Sequence, residues 1–303
     1  MDLAAALIVA RLVHFLATMA LFGAALFPFY ALANAAGGRA AHGLAGGRRS
    51  WLIAAAMLAL ASAGAWVLCM VAMLAGDGTG MPGAHDFKVV LLDTGFGRAW
   101  IFRLIVACLA LAATFLAPSG ALTAGLSALL LASQAWIGHA AMGEGLAGGL
   151  RLAIQATHLL AAGAWLGGLL PLGALLAAAR HDAQGPTAAA ARTALIRFSD
   201  MGVIAVGLIV LSGIANVGFM LHALDAFGTT TYGRVLALKL ALFLGLVAVA
   251  TVNRYRLMPR IARQPEPDAP LLARIGRNVV VEQALGLLVL AAVSVLGTLP
   301  PGQ

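Results

Sequence analysis

The chain has 303 residues, of which 62% are hydrophobic and only 10% are charged, and its mean hydropathy is +0.97. In soluble domains about a quarter of the residues are charged, so this composition excludes a soluble globular protein. The net charge of +8 does not indicate a nucleic-acid partner, because the basic residues lie between apolar segments and form no basic face.

Long apolar runs follow one another along the whole chain, separated by short polar breaks. Each run is near or above the roughly 20 residues that a helix needs to cross a bilayer. Because the runs are continuous rather than alternating, we predict an all-α integral membrane protein in contact with the lipid bilayer. The eight predicted transmembrane helices span residues 3–33, 51–75, 99–117, 119–138, 152–179, 198–221, 234–253 and 278–298.

Basic residues are concentrated in the loops that follow the first, fifth and seventh predicted helices. The positive-inside rule makes these loops cytoplasmic, so the chain is predicted to be a multi-pass protein with both termini on the outer side of the membrane. Only the 254–277 segment, which contains a Gln-Pro-Glu-Pro-Asp-Ala-Pro run, is predicted to be a flexible cytoplasmic linker. The basic loop residues are Arg39, Arg48, Arg49, Arg180, Arg192, Arg197, Arg254, Arg256, Arg260, Arg263, Arg274 and Arg277.

An internal repeat divides the chain into two four-helix halves, predicted at residues 1–140 and 141–303. Aligning His14 with His158 places HFLATMALFGAAL over HLLAAGAWLGGLL. An even number of helices per half gives both halves the same orientation, related by a pseudo-two-fold axis along the membrane normal. Two further matches follow in the same order, between the segments that begin at Ser62 and Ser212 and between Phe96-Gly-Arg-x4-Arg103 and Tyr232-Gly-Arg-x4-Lys239.

Ionisable side chains within the predicted helices suggest a functional site, because they are costly in a membrane. His14 and His158 occupy matching positions in the first helix of each half. Two interpretations are open: the pair handles a ligand, or each histidine is a buried residue that hydrogen-bonds a backbone carbonyl and was retained after duplication.

Histidines and methionines also cluster towards the predicted outer face. Neutral imidazole and thioether groups suit copper, especially Cu(I), although methionine also fills gaps in packing. The sequence therefore predicts a copper site, in either oxidation state, with the metal ligands His14, His139, His158, Met142 and His85.

Other charged residues near helix ends have structural interpretations. Arg103 and Lys239, in the repeated aromatic-Gly-Arg motif, are predicted to anchor their helices by extending towards the interface. Glu282 and Asp200 are predicted to pair with arginines such as Arg197 or Arg277, and a proton-coupled role is the alternative. The chain has no Walker motif, nucleophile elbow or HExxH sequence, so no enzymatic activity is expected.

The order of motifs in the C-terminal half resembles the bacterial copper resistance protein D family (CopD/PcoD type). The resemblance covers most of residues 136–301 and implies an inner-membrane protein of copper homeostasis that moves copper from the periplasm to the cytoplasm with a periplasmic CopC-type partner. By position it points to His158, Trp165 and His139, whereas His14 enters only through the repeat. The motifs are HLLAAGAWLGGLL from His158, Arg197-Phe-Ser, Leu211-Ser-Gly-Ile-Ala-Asn, Tyr232-Gly-Arg-x4-Lys239, Asn253-Arg, Glu282 and a closing Leu-Pro-Pro.

Two other functions compete with copper transport. The first is membrane electron transfer, in which His14 and His158 supply the axial ligands of a b-type haem. The second is a membrane scaffold whose outer loops dock a periplasmic metal-binding protein without transport.

Overall fold

The computed structural model describes residues 2–32, 38–74, 82–118, 120–137, 145–181, 185–218, 230–263 and 269–299, and in these ranges the chain forms helices and no strand. A 3₁₀ turn at Ser133–Ile137 follows α5, and π-helical turns at Gly163–Gly167 and Asn253–Leu257 join α6 to α7 and α9 to α10. The helices are α1 (Leu3–Tyr30), α2 (Gly38–Leu74), α3 (Ala84–Leu92), α4 (Gly95–Leu116), α5 (Ala121–Ala132), α6 (Gly145–Ala162), α7 (Gly168–His181), α8 (Pro186–Gly218), α9 (Thr231–Val252), α10 (Met258–Arg263) and α11 (Ala269–Leu296).

Seven helical segments within the described ranges are long and apolar enough to cross a membrane. They correspond to seven of the eight predicted transmembrane helices. The remaining prediction, residues 119–138, coincides with the shorter apolar segment Ala121–Ile137, in which the 12-residue α5 tightens into the 3₁₀ turn. The all-helical membrane fold is therefore confirmed, with one segment below the length that a regular crossing helix needs.

Several helices extend beyond their predicted bounds. The predicted linker at 254–277 is helical on both sides, since α10 ends at Arg263 and α11 begins at Ala269, and residues 264–268 lie outside the described ranges. The outer loop between the second and third predicted helices contains α3, which the apolar pattern did not predict. It packs against α4, so this loop adds structured chain to one end of the bundle.

The two halves meet where α1 crosses the π-helical turn between α6 and α7. A Cβ atom on Gly23 would overlap the backbone of Gly167, and one on Gly167 would overlap the carbonyl of Met19. Only glycine permits such a close approach of two helix backbones. Gly23 and Gly167 are the residues that the alignment of His14 with His158 pairs, so the halves touch at equivalent positions.

Candidate functional site

His14 lies in the core of the N-terminal half and is completely buried. Its Nδ1 is 3.1 Å from the carbonyl oxygen of Ala59 and 3.1 Å from Oγ of Ser62, while its Nε2 is 2.6 Å from a guanidinium nitrogen of Arg103. Arginine can only donate, so Nε2 accepts and the ring hydrogen must sit on Nδ1. His14 is therefore a neutral imidazole with both nitrogens engaged.

Arg103 is almost completely buried, with 1% of its surface exposed, and its prediction as an interfacial anchor is wrong. Its second terminal nitrogen donates to Oγ of Ser133 at 2.7 Å, and its guanidinium carbon lies 5.0 Å from the ring centre of Trp100. The planar fork of arginine suits such several-sided binding. Because the one ion pair within the described ranges involves other residues, this buried charge is stabilised by neutral acceptors and a ring face.

Two tryptophans enclose His14. The ring centres of Trp66 and Trp100 lie 5.7 and 6.1 Å from the imidazole centre. Arg11 covers Trp66, with its guanidinium carbon 4.6 Å from the ring centre, and fills the space beside Gly297 at the end of α11. His14 is thus enclosed by aromatic and basic side chains.

His158, the matching histidine of the C-terminal half, is only partly buried. Its Nδ1 lies 3.0 Å from Oγ of Ser212, and this hydroxyl donates to the carbonyl of Leu208. A serine hydroxyl has one hydrogen, so Nδ1 donates to Ser212 and Nε2 carries the lone pair. Within the described ranges no residue hydrogen-bonds Nε2, although Lys239 is close enough to act on the ring electrostatically.

The three weak matches of the internal repeat therefore converge at one place in each half. In both halves a histidine on the first helix contacts a serine on the second, and a cation from the start of the third acts on the imidazole. We call these groups the N-terminal triad (His14, Ser62 and Arg103) and the C-terminal triad (His158, Ser212 and Lys239).

The other predicted copper ligands do not join either triad in the described part of the chain. His139 and Met142 lie outside the described residues. His85 is exposed near the start of α3. The described residues hold no group of three or more His, Cys, Asp or Glu side chains with the proximity of a metal site.

A second cluster of polar side chains, which the sequence did not predict to lie together, is formed by α11 and the π-helical turn after α9. The carboxyl of Glu282 accepts a hydrogen bond from the side-chain amide of Asn253 at 2.6 Å, and Asn253 accepts one from Asn278 at 2.6 Å. The predicted pairing of Glu282 with an arginine is therefore wrong. Asp200 does pair with an arginine, but the partner is Arg254, on the π-helical turn after α9.

Comparisons with known proteins agree with the fold and composition. Residues 1–149 match the family model "Copper resistance protein D-like, N-terminal domain", and residues 192–296 match "Copper resistance protein D". The chain is 30% identical over 293 residues to copper resistance protein D of Pseudomonas syringae pv. tomato, covering 93% of each chain.

Two further relatives are similar over shorter lengths. The inner membrane protein YebZ of Escherichia coli (strain K12) is 32% identical over 219 residues, which cover 70% of this chain and 71% of that protein. The copper transport protein CutJ of Bacillus subtilis (strain 168) is 30% identical over 171 residues, or 56% of this chain and 29% of that protein.

Proposed function

Because this chain belongs to the copper resistance protein D family of inner-membrane copper proteins, we propose that it carries copper from the outer face of the membrane towards the cytoplasm, with His158 as the ligand inside the membrane. The observation that carries this proposal is that Nε2 of His158 accepts no hydrogen bond from the described residues. A role in transport accounts for an imidazole within the membrane whose Nε2 accepts no hydrogen bond from the described residues. A purely structural role does not.

The hydrogen bond from His158 to Ser212 favours metal binding. A histidine that binds a metal through one ring nitrogen generally donates the hydrogen of its other ring nitrogen to a neighbouring acceptor. This hydrogen bond fixes the tautomer and the ring orientation. Ser212 serves as this acceptor, because its own hydrogen is donated to Leu208. His158 is thus oriented before an ion arrives.

His14 takes a different part in the proposal. Its Nε2 is occupied by Arg103, so copper reaches it only after the guanidinium turns away. We therefore place His14 as a second position in the path rather than as the first ligand. The first ligands are His85, His139 and Met142 near the outer face, where a CopC-type periplasmic protein would deliver Cu(I) or Cu(II).

The proposed path assumes two parallel four-helix repeats with both termini periplasmic. Four contacts support this arrangement. Gly23 meets its counterpart Gly167, as expected near a two-fold axis. Arg11, near the start of α1, lies beside Gly297 after α11, so the two chain ends share one side. On the other side, Arg48 donates to the carbonyl of Pro118 and Arg192 to that of Ala262.

No observation favours the haem alternative. Axial ligation requires a free nitrogen on both histidines, whereas Arg103 occupies Nε2 of His14 and two tryptophans fill the space around that ring. A Soret band in the purified protein, lost with His14→Ala, would revive this alternative.

The proposal is tested with His158→Ala and with Thr157→Ala as the matched control. Thr157 is the exposed neighbour, and its hydroxyl bonds only its own helix. We expect His158→Ala to abolish copper accumulation in cells and to lower bound copper in purified protein, while Thr157→Ala behaves like the native chain. Unchanged accumulation with His158→Ala at equal protein level would favour the scaffold function.

A further inference from the structure

A buried carboxyl group lies in the half of the bundle away from the two triads. Glu282 has 3% of its surface exposed and sits 14 residues before the end of α11, or roughly 21 Å along the helix axis. In the proposed orientation this depth places it in the cytoplasmic half of a hydrocarbon core of about 30 Å.

The partners of this carboxyl group are neutral. Oε1 accepts from Asn253, and Oε2 has no hydrogen-bond partner within the described ranges. Asn278, one helical turn before Glu282, in turn donates to Asn253. This chain of amides orients the carboxyl group but supplies no positive charge.

Four arginines on the surrounding helices have another partner or are exposed. Arg254 on the π-helical turn pairs with Asp200 on α8. Arg180 on α7 donates to the carbonyl of Ala273. Arg274 and Arg277 on α11 are exposed. An ionised carboxylate in this position would be a buried charge without a counter-ion, which is strongly unfavourable, so the neutral protonated form fits the site.

Glu282 lies at the wall of a cavity of about 200 Å³. Glu282 and Asn253 line it, Trp165 borders it on one side, and Arg254 and Tyr255 border it on the basic side of the protein. Both π-helical turns of the described chain contribute to its wall, and such turns occur frequently at functional sites. Trp165 lies two turns beyond His158 on the same helical segment, so the cavity begins below the C-terminal triad.

We infer that Glu282 is an exchangeable protonation site, reached from the cytoplasm through this cavity, which releases its proton to the cavity water when copper enters from His158. For Cu(I) the charges balance: one proton passes from the carboxyl group through the cavity to the cytoplasm as one monovalent cation enters, and the carboxylate left behind compensates the charge of the copper. The link to copper rests on the proposed function, whereas the protonated state of the carboxyl group does not.

Infrared difference spectroscopy tests the protonated state directly, using native protein and Glu282→Gln in lipid. Glutamine keeps the shape of the side chain and still accepts from Asn253. We expect the native protein to show the C=O band of a protonated carboxylic acid, absent from the variant and shifted on transfer to D₂O. Asp93→Asn, at an exposed carboxylate, should remove only an ionised band. Loss of only an ionised band with Glu282→Gln would overturn the inference.

Copper measurements test the coupling. We expect Glu282→Gln to bind copper within about twofold of native and to lower copper uptake into proteoliposomes on the order of tenfold, as for a proton-relay residue. Native-like uptake by the variant would overturn the coupling. A protonated band in a native protein that takes up no copper would instead refute the proposed transport function and leave the protonation site standing.

Discussion

Each triad places a histidine, a serine and a basic residue at matching positions, yet the two differ in what reaches Nε2 of the histidine. In the N-terminal triad the guanidinium of Arg103 lies 2.6 Å from this nitrogen, and two tryptophans flank the ring. In the C-terminal triad a lysine takes the place of the arginine, and Nε2 has no hydrogen-bond partner within the described ranges. The histidine is thus enclosed by hydrogen bonds and aromatic rings in the N-terminal triad and only partly buried in the C-terminal triad.

Removing the cation should separate the triads most strongly. We expect Arg103→Ala to lower the free energy of unfolding by about 3–5 kcal/mol, because it leaves the buried Nε2 of His14 without a donor and opens a cavity beside Trp100. Lys239→Ala should cost about 1 kcal/mol or less, since Lys239 donates no hydrogen bond within the described ranges and its removal leaves no described acceptor unpaired. Unfolding in mixed micelles measures both values, and similar losses in the two variants would break the comparison.

The crossing of the two halves should be the next most sensitive position. We expect Gly23→Ala to cost about 1–3 kcal/mol, because its Cβ would overlap the Gly167 backbone. Gly64→Ala is the matched control, since a Cβ there meets nothing within 4 Å. If Gly23→Ala were as stable as Gly64→Ala in thermal unfolding, the halves would not be in tight contact there.

The two serines should have different effects on copper. We expect Ser212→Ala to weaken copper binding about tenfold, because the orienting acceptor for His158 is lost. Ser62→Ala should leave copper affinity unchanged and act only on stability. Titration of purified protein with copper measures both, and equal effects would indicate that the two histidines serve copper alike.

The smallest effect is expected where the charges are exposed. The side chains of Arg254 and Asp200 are 35% and 58% exposed, so their ion pair is screened by solvent. We expect Asp200→Asn to change the free energy of unfolding by less than about 1 kcal/mol. A larger loss would indicate that this ion pair, like Arg103, contributes substantially to the stability of the fold.

Much of the fold was predictable, since a bilayer leaves a continuous apolar run few alternatives to a helix. The surroundings of Arg103 were not, because a basic residue near a helix start is equally consistent with an interfacial anchor. Its burial depends on Ser133 and Trp100, which the chain brings together only after folding. The hydrogen bond between Asn253 and Asn278 was not predictable for the same reason, since folding brings these residues together. The prediction for His139 and Met142 concerns residues outside the described ranges.

The contact of Gly23 with Gly167 also has a mechanical consequence. His14 and His158 each precede their glycine by nine residues, or about 13 Å along the helix. The two histidines therefore lie at equal distances from this contact point. Rocking one half by about 10° would displace its histidine relative to the other half by about 2 Å at this radius. Because His14 and Arg103 lie in the same half, such a tilt would change the distance between the two histidines and leave the contacts within each triad intact.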